Sequence, residues 1–77
     1  MNEINIGELI ETEMLRQERS ASWLASKLYC SRTNIYKIYG RTSIDTTTLY
    51  RVSRVLGHNF FSYYAEAFER EKMETKE

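Results

Sequence analysis

Ile6, Ile10 and Met14 recur at four-residue intervals, with Leu9 and Leu15 beside them, and that spacing marks one face of an amphipathic helix. The chain has no proline, and its three glycines stand at 7, 40 and 57, so little interrupts helical periodicity. A first helix is predicted over 6–18, with its acids early and Arg16 and Arg19 late, as the helix dipole favours. Ser20 or Ser22 can cap a second helix over 21–28 that buries Trp23, Leu24 and Leu28. Ser31 opens a third, over 31–39, with Ile35 and Ile38 inward and Gly40 at its end. Asp45 caps a fourth over 46–56 that buries Leu49, Val52 and Leu56, and Gly57 supplies the turn after it. Asn59 opens a fifth, whose Phe60, Phe61, Tyr64 and Phe68 share a stripe. From Glu69 onward almost every residue is charged, so residues 69–77 are expected to fray. The expected class is all-α: one compact five-helix domain over 1–68 and a charged tail.

A chain of 77 residues has room for one core only. Its single cysteine, Cys30, cannot form an internal disulfide, and with the single histidine, His58, it cannot complete a four-ligand zinc site. A lone thiol suits a reducing compartment, so a cytoplasmic location is expected. Apolar runs last a few residues, against the roughly 20 needed to cross a bilayer, and no signal segment opens the chain. No Ser/His/Asp or Cys/His pair and no phosphate-binding glycine loop is visible, so no catalysis and no metal or other cofactor are expected. A small-molecule ligand is not expected either, because so short a chain leaves little volume for a pocket.

Eleven basic residues balance eleven acidic ones, but they are not mixed. Residues 1–15 carry a net −4, residues 16–54 a net +6, and residues 55–77 a net −2. A basic middle between acidic ends lets a neutral protein turn a positive face to a polyanion.

Two short helices separated by Tyr29-Cys30-Ser31, the second with polar residues outward, form a helix-turn-helix pattern. The stretch Ser22-Trp-Leu-Ala-Ser-Lys-Leu-Tyr-Cys-Ser-Arg-Thr-Asn-Ile-Tyr-Lys-Ile-Tyr39 resembles the Xre/Cro-type repressor family of helix-turn-helix transcriptional regulators. Leu24-Ala25, Leu28, Ser31, Ile35 and Ile38 carry the resemblance, and Leu49, Val52 and Leu56-Gly57 continue it downstream. It spans about residues 6–64 and implies a lambda-repressor-like fold whose third helix reads double-stranded DNA.

With Ile35 and Ile38 buried, positions 32, 33, 36 and 37 face outward and can enter a major groove. Arg32 can pair bidentately with guanine, and Lys37 can reach guanine or phosphate. Thr33 offers a methyl and a hydroxyl, and Tyr36 can stack or donate to phosphate. Backbone contacts are expected from Ser20, Ser22 and Ser31 at helix N-termini, from Asn34, and from the loop residues Arg41, Thr42 and Ser43.

Departures from the family pattern carry expectations of their own. Tyr29 stands where the family often has glycine, so either the turn differs or a left-handed strain of roughly 1–2 kcal/mol is offset by burying the ring. Met14 and Tyr39 occupy the positions of a common family ion pair, which implies apolar packing in its place. The acidic first helix is expected to face away from phosphates. Trp23 is expected as a core or cover residue, Cys30 as an inert thiol, His58 as a structural histidine, and Arg51 and Arg54 as solvated charges.

The C-terminal stripe holds more aromatic surface than one face of a small bundle uses. A homodimer contact through Phe61, Tyr64 and Phe68 is one expectation, since such dimers read paired half-sites. A last helix folded back over the first is the other. For function, sequence-specific DNA binding as a transcriptional regulator stands beside a protein-interaction module working through the aromatic helix.

Overall fold

The computed structural model describes the backbone of residues 4–74 and the side chains of residues 4–72. Among these the chain forms five helices and no strand: α1 (Ile6–Arg16), α2 (Ala21–Leu28), α3 (Arg32–Tyr39), α4 (Thr46–Leu56) and α5 (Phe61–Glu74). The domain is all-α.

Short polar residues open these helices by accepting backbone N–H groups that the first turn leaves unpaired. Asn5 accepts from Glu8 at 3.2 Å, Ser20 from Trp23 at 3.1 Å, Ser31 from Asn34 at 3.1 Å and Asp45 from Thr48 at 2.9 Å. Of the two serines available to α2, Ser20 is the cap. The Asn59 side chain accepts from the Phe61 N–H at 3.0 Å.

Three boundaries differ from the sequence expectation. The first helix closes at Arg16, short of residue 18, because Glu18 turns left-handed (φ 57°) and the Arg19 N–H bonds back to the Met14 carbonyl at 2.9 Å. Ser31 caps α3 as expected, but α5 starts at Phe61 and leaves out Phe60, which was expected within it. At the other end α5 continues through Glu69 to Glu74 where fraying was expected. Glu66 precedes Arg70 by four residues and Glu69 precedes Lys72 by three, pairings that support an exposed helix. Residues 75–77 of the expected tail lie outside the described residues.

Ile6, Ile10 and Met14 of α1 meet Leu24 and Leu28 of α2, Ile35 and Ile38 of α3, and Leu49, Val52 and Leu56 of α4 in one buried cluster. Phe60, fully buried, drops into this core ahead of α5 and leaves the stripe it was expected to share with Phe61, Tyr64 and Phe68. Trp23 is half-buried against the core, as a cover residue.

Gly7 explains how α1 meets the end of α3. Its N–H donates to the Arg41 carbonyl at 2.9 Å, and the Ile6 N–H donates to Thr42 at 3.0 Å. A methyl at position 7 would strike the carbonyl oxygens of Tyr39, Arg41 and Ile38. Only glycine lets the two segments approach this closely.

The molecule measures 47 × 22 × 21 Å. Its length reflects α5, a helix of about 21 Å, whose residues 64–66 and 68–70 are exposed. Phe68 is 64% exposed, so α5 does not bury its stripe by folding back on α1.

Candidate nucleic-acid interface

The exposed edge of α3 follows from which side of it is apolar. Ile35 and Ile38 are buried, and Thr33, Tyr36, Lys37 and Gly40, at i, i+3, i+4 and i+7, form the opposite stripe. Arg32 flanks this stripe on one side and Asn34 on the other; both are exposed. All four residues expected to read bases therefore share one accessible surface. The Tyr36 ring meets the Tyr39 ring edge-on, with centroids 6.0 Å apart, which braces it against the body of the domain. Tyr39 is half-buried, and burial, with Glu11 and Tyr36 nearby, raises its phenol above the ordinary value.

Every residue expected to hold a backbone is exposed. Ser20 and Ser31 spend a lone pair on their caps, but a hydroxyl keeps its proton to donate, and both side chains are exposed. Ser22 is exposed in the first turn of α2. Arg41, Thr42 and Ser43 are exposed, and their backbone is fixed because the Arg41 and Thr42 carbonyls accept from the start of α1. The Arg41 Nε donates to the Ser43 carbonyl at 3.3 Å, which curls the guanidinium over its own loop. Asn34 and Arg41 share with Asp45 and Thr48 a polar groove of about 260 Å³ between α3 and α4. The Asp45 carboxyl is held below its usual range by its hydrogen bonds from Thr48.

Tyr29 departs from both outcomes considered for it. It is left-handed (φ 58°, ψ 45°), and its ring is 92% exposed, so burial does not offset the strain. Met14 is buried and Tyr39 packs against the core. Arg51 is not simply solvated: its Nη2 donates to the Leu28 carbonyl at 2.8 Å and satisfies the end of α2. Arg54 donates to the Tyr50 hydroxyl at 2.8 Å and lies 5.7 Å from its ring. Arg19 and Lys27 cover the outer side of Trp23, at 4.3 and 5.8 Å from the ring. Cys30 is a half-buried free thiol.

A polar cluster that composition alone concealed joins α1 to the end of α4 and to Tyr63 of α5. Glu13 is 6% exposed, and both its oxygens accept from the Arg16 Nε, at 3.0 and 3.1 Å, with a further bond from Arg16 Nη2. Gln17 donates to Glu13 at 2.7 Å and to the Leu56 carbonyl at 2.8 Å, joining α1 to α4. His58 faces Glu13 at 3.5 Å through Nδ1 and pairs with the Tyr63 hydroxyl at 2.8 Å through Nε2. The Arg16 hydrogen bonds dominate over burial, and they hold the Glu13 carboxyl down to about 2. Its signal was present in the sequence: Glu13 stands seven residues after Ile6, on the apolar face, with Arg16 and Gln17 within one turn.

Among the described residues no helix is long and apolar enough to cross a membrane, and no group of three or more His, Cys, Asp or Glu could hold a metal ion. No known protein family matches this chain, and no curated protein or solved structure is similar to it.

Proposed function

We propose that the domain binds double-stranded DNA sequence-specifically through α3, as a cytoplasmic transcriptional regulator that pairs two protomers on a short inverted repeat. The observation that carries this reading is the exposed edge formed by Arg32, Thr33, Tyr36 and Lys37 on a helix whose N-terminus Ser31 caps. Arg32 presents a planar fork suited to guanine, Lys37 a mobile charge, and Thr33 a methyl for thymine. The exposed serines at the α2 and α3 N-termini keep hydroxyl protons that can be donated to phosphates. The site positions a duplex and performs no chemistry on it.

Selection of bound sequences from a random duplex pool tests the reading. The intact domain should enrich a short motif, and its affinity should fall steeply between 50 and 200 mM salt, as counterion release demands. Equal recovery of every sequence at every salt concentration would overturn it.

The exposed stripe at Tyr64 and Phe68 favours a second reading, a module that docks a partner protein through α5. Apolar docking strengthens or holds as salt rises, so the same titration separates the two.

A further inference from the structure

Tyr29 holds a backbone conformation that glycine adopts freely and tyrosine does not, at φ 58° and ψ 45°, and its ring is 92% exposed. The end of α4 makes a similar left-handed turn without that strain, because Gly57 stands there at φ 64°. The turn holds Tyr29 firmly in place. Its N–H donates to the Ser26 carbonyl at 3.3 Å, the Cys30 N–H donates to Ala25 at 3.0 Å, and the Leu28 carbonyl accepts from Arg51 at 2.8 Å. Strain that burial does not offset, at an exposed and fixed residue, is typical of groups that act on a partner. The surroundings of the turn say which partner. No acidic residue lies between Glu18 and Asp45, while Lys27, Arg32 and Lys37, all exposed, flank Tyr29 along the chain. A polyanion suits such a segment.

We infer that Tyr29 donates its hydroxyl proton to a phosphate on the strand bordering the base pair that Arg32 reads, and so fixes the register of α3 in the groove. Tyr29 precedes Arg32 by three residues, a span of at most about 11 Å. In a major groove about 12 Å wide, one of the two walls lies within that reach of a base-reading arginine. A wall is sugar and phosphate, and a phenol offers it one neutral donor. Such a donor adds affinity without releasing a counterion, which separates it from every lysine and arginine at the interface. The inference rests on the proposed DNA binding and adds to it a contact made at a cost in stability. The residue that would relax the turn, glycine, would lose the contact.

A duplex selected by the intact domain is the probe. Tyr29→Phe should bind it about tenfold more weakly, as loss of a hydrogen bond to a charged group requires, with the same preferred sequence and an unaltered slope of log affinity against log salt. Tyr29→Gly should be more stable than the parent and bind at least as weakly as Tyr29→Phe. Methylphosphonate linkages introduced one at a time locate the acceptor. At one linkage in each half-site the substitution should weaken the parent about tenfold and leave Tyr29→Phe unchanged, because that protein has already lost the contact. Variants that bind as the parent does, or that respond to every methylphosphonate as the parent does, would overturn the contact and leave the proposed function standing. A parent domain that selects no duplex would remove both.

Discussion

The N–H of Gly7 donates to the carbonyl of Arg41 at 2.9 Å, so the first turn of α1 holds the loop that follows α3. A side chain at position 7 would meet three carbonyl oxygens, with those of Ile38 and Arg41 at 2.5 Å, and backbone cannot swing aside as a flexible side chain would. Gly7→Ala should therefore destabilise the fold by about 1–3 kcal/mol, although alanine is the better helix former. Thermal unfolding would register this as a fall of several degrees per kcal/mol. An unchanged or higher midpoint would show that α1 can back away from the loop at no cost.

Glu13 makes stability depend on acid. Its folded-state value of about 2 lies below the ordinary 4.5, so its contribution is complete above about pH 5 and disappears as pH falls through 4.5 toward 2. Glu13→Gln should cost about 1–3 kcal/mol at neutral pH, since Arg16 and Gln17 lose a charged acceptor. The gap between the two proteins should narrow from pH 5 to pH 2 in a series of denaturant titrations. A gap constant across that range would mean that the carboxylate is not the group that matters.

Tyr29 is strained and gains nothing by burial. Tyr29→Gly relieves a left-handed cost of roughly 1–2 kcal/mol and returns part of it through the greater freedom of the unfolded chain. A net gain of about 0.5–1 kcal/mol should appear as a higher urea midpoint with an unaltered slope. Loss of stability instead would reveal a contact of the ring in the folded protein.

The helices were legible because periodicity and capping agree at each of them. Ile6, Ile10 and Met14 mark a face, and Ser31 and Asp45 mark starts, by physics that is local in sequence. The outward edge of α3 follows from the same rule, because burying Ile35 and Ile38 fixes what lies opposite. Contacts that join distant segments were not legible. Gln17 reaches Leu56 across 39 residues, and Arg51 reaches Leu28 across 23, at distances along the chain where no periodicity operates. Gly7 carried a faint mark, a glycine in a first helical turn where alanine would serve a free helix better. Phe60 read as one of four stripe aromatics and proved to be core, since the chain enters α5 one residue after it.

Arg51 and Lys37 are both exposed cations, but they sit in different surroundings. Arg51 closes the end of α2 through the Leu28 carbonyl at 2.8 Å, whereas Lys37 belongs to the outward stripe of α3. Arg51→Met should lower stability by about 1 kcal/mol, the typical net value of such a hydrogen bond, and, under the proposed function, leave the salt dependence of binding as it was. Lys37→Met should leave stability within about 0.5 kcal/mol, as surface substitutions do. If Lys37 meets a phosphate, the same change reduces the slope of log affinity against log salt by about 1; if it meets guanine, it relaxes preference at one base pair and costs about 1–3 kcal/mol. Unfolding curves and binding isotherms at three salt concentrations distinguish these outcomes. A Lys37→Met protein that binds every duplex as the parent does would remove Lys37 from the interface, and a weakened salt slope in Arg51→Met would add Arg51 to it.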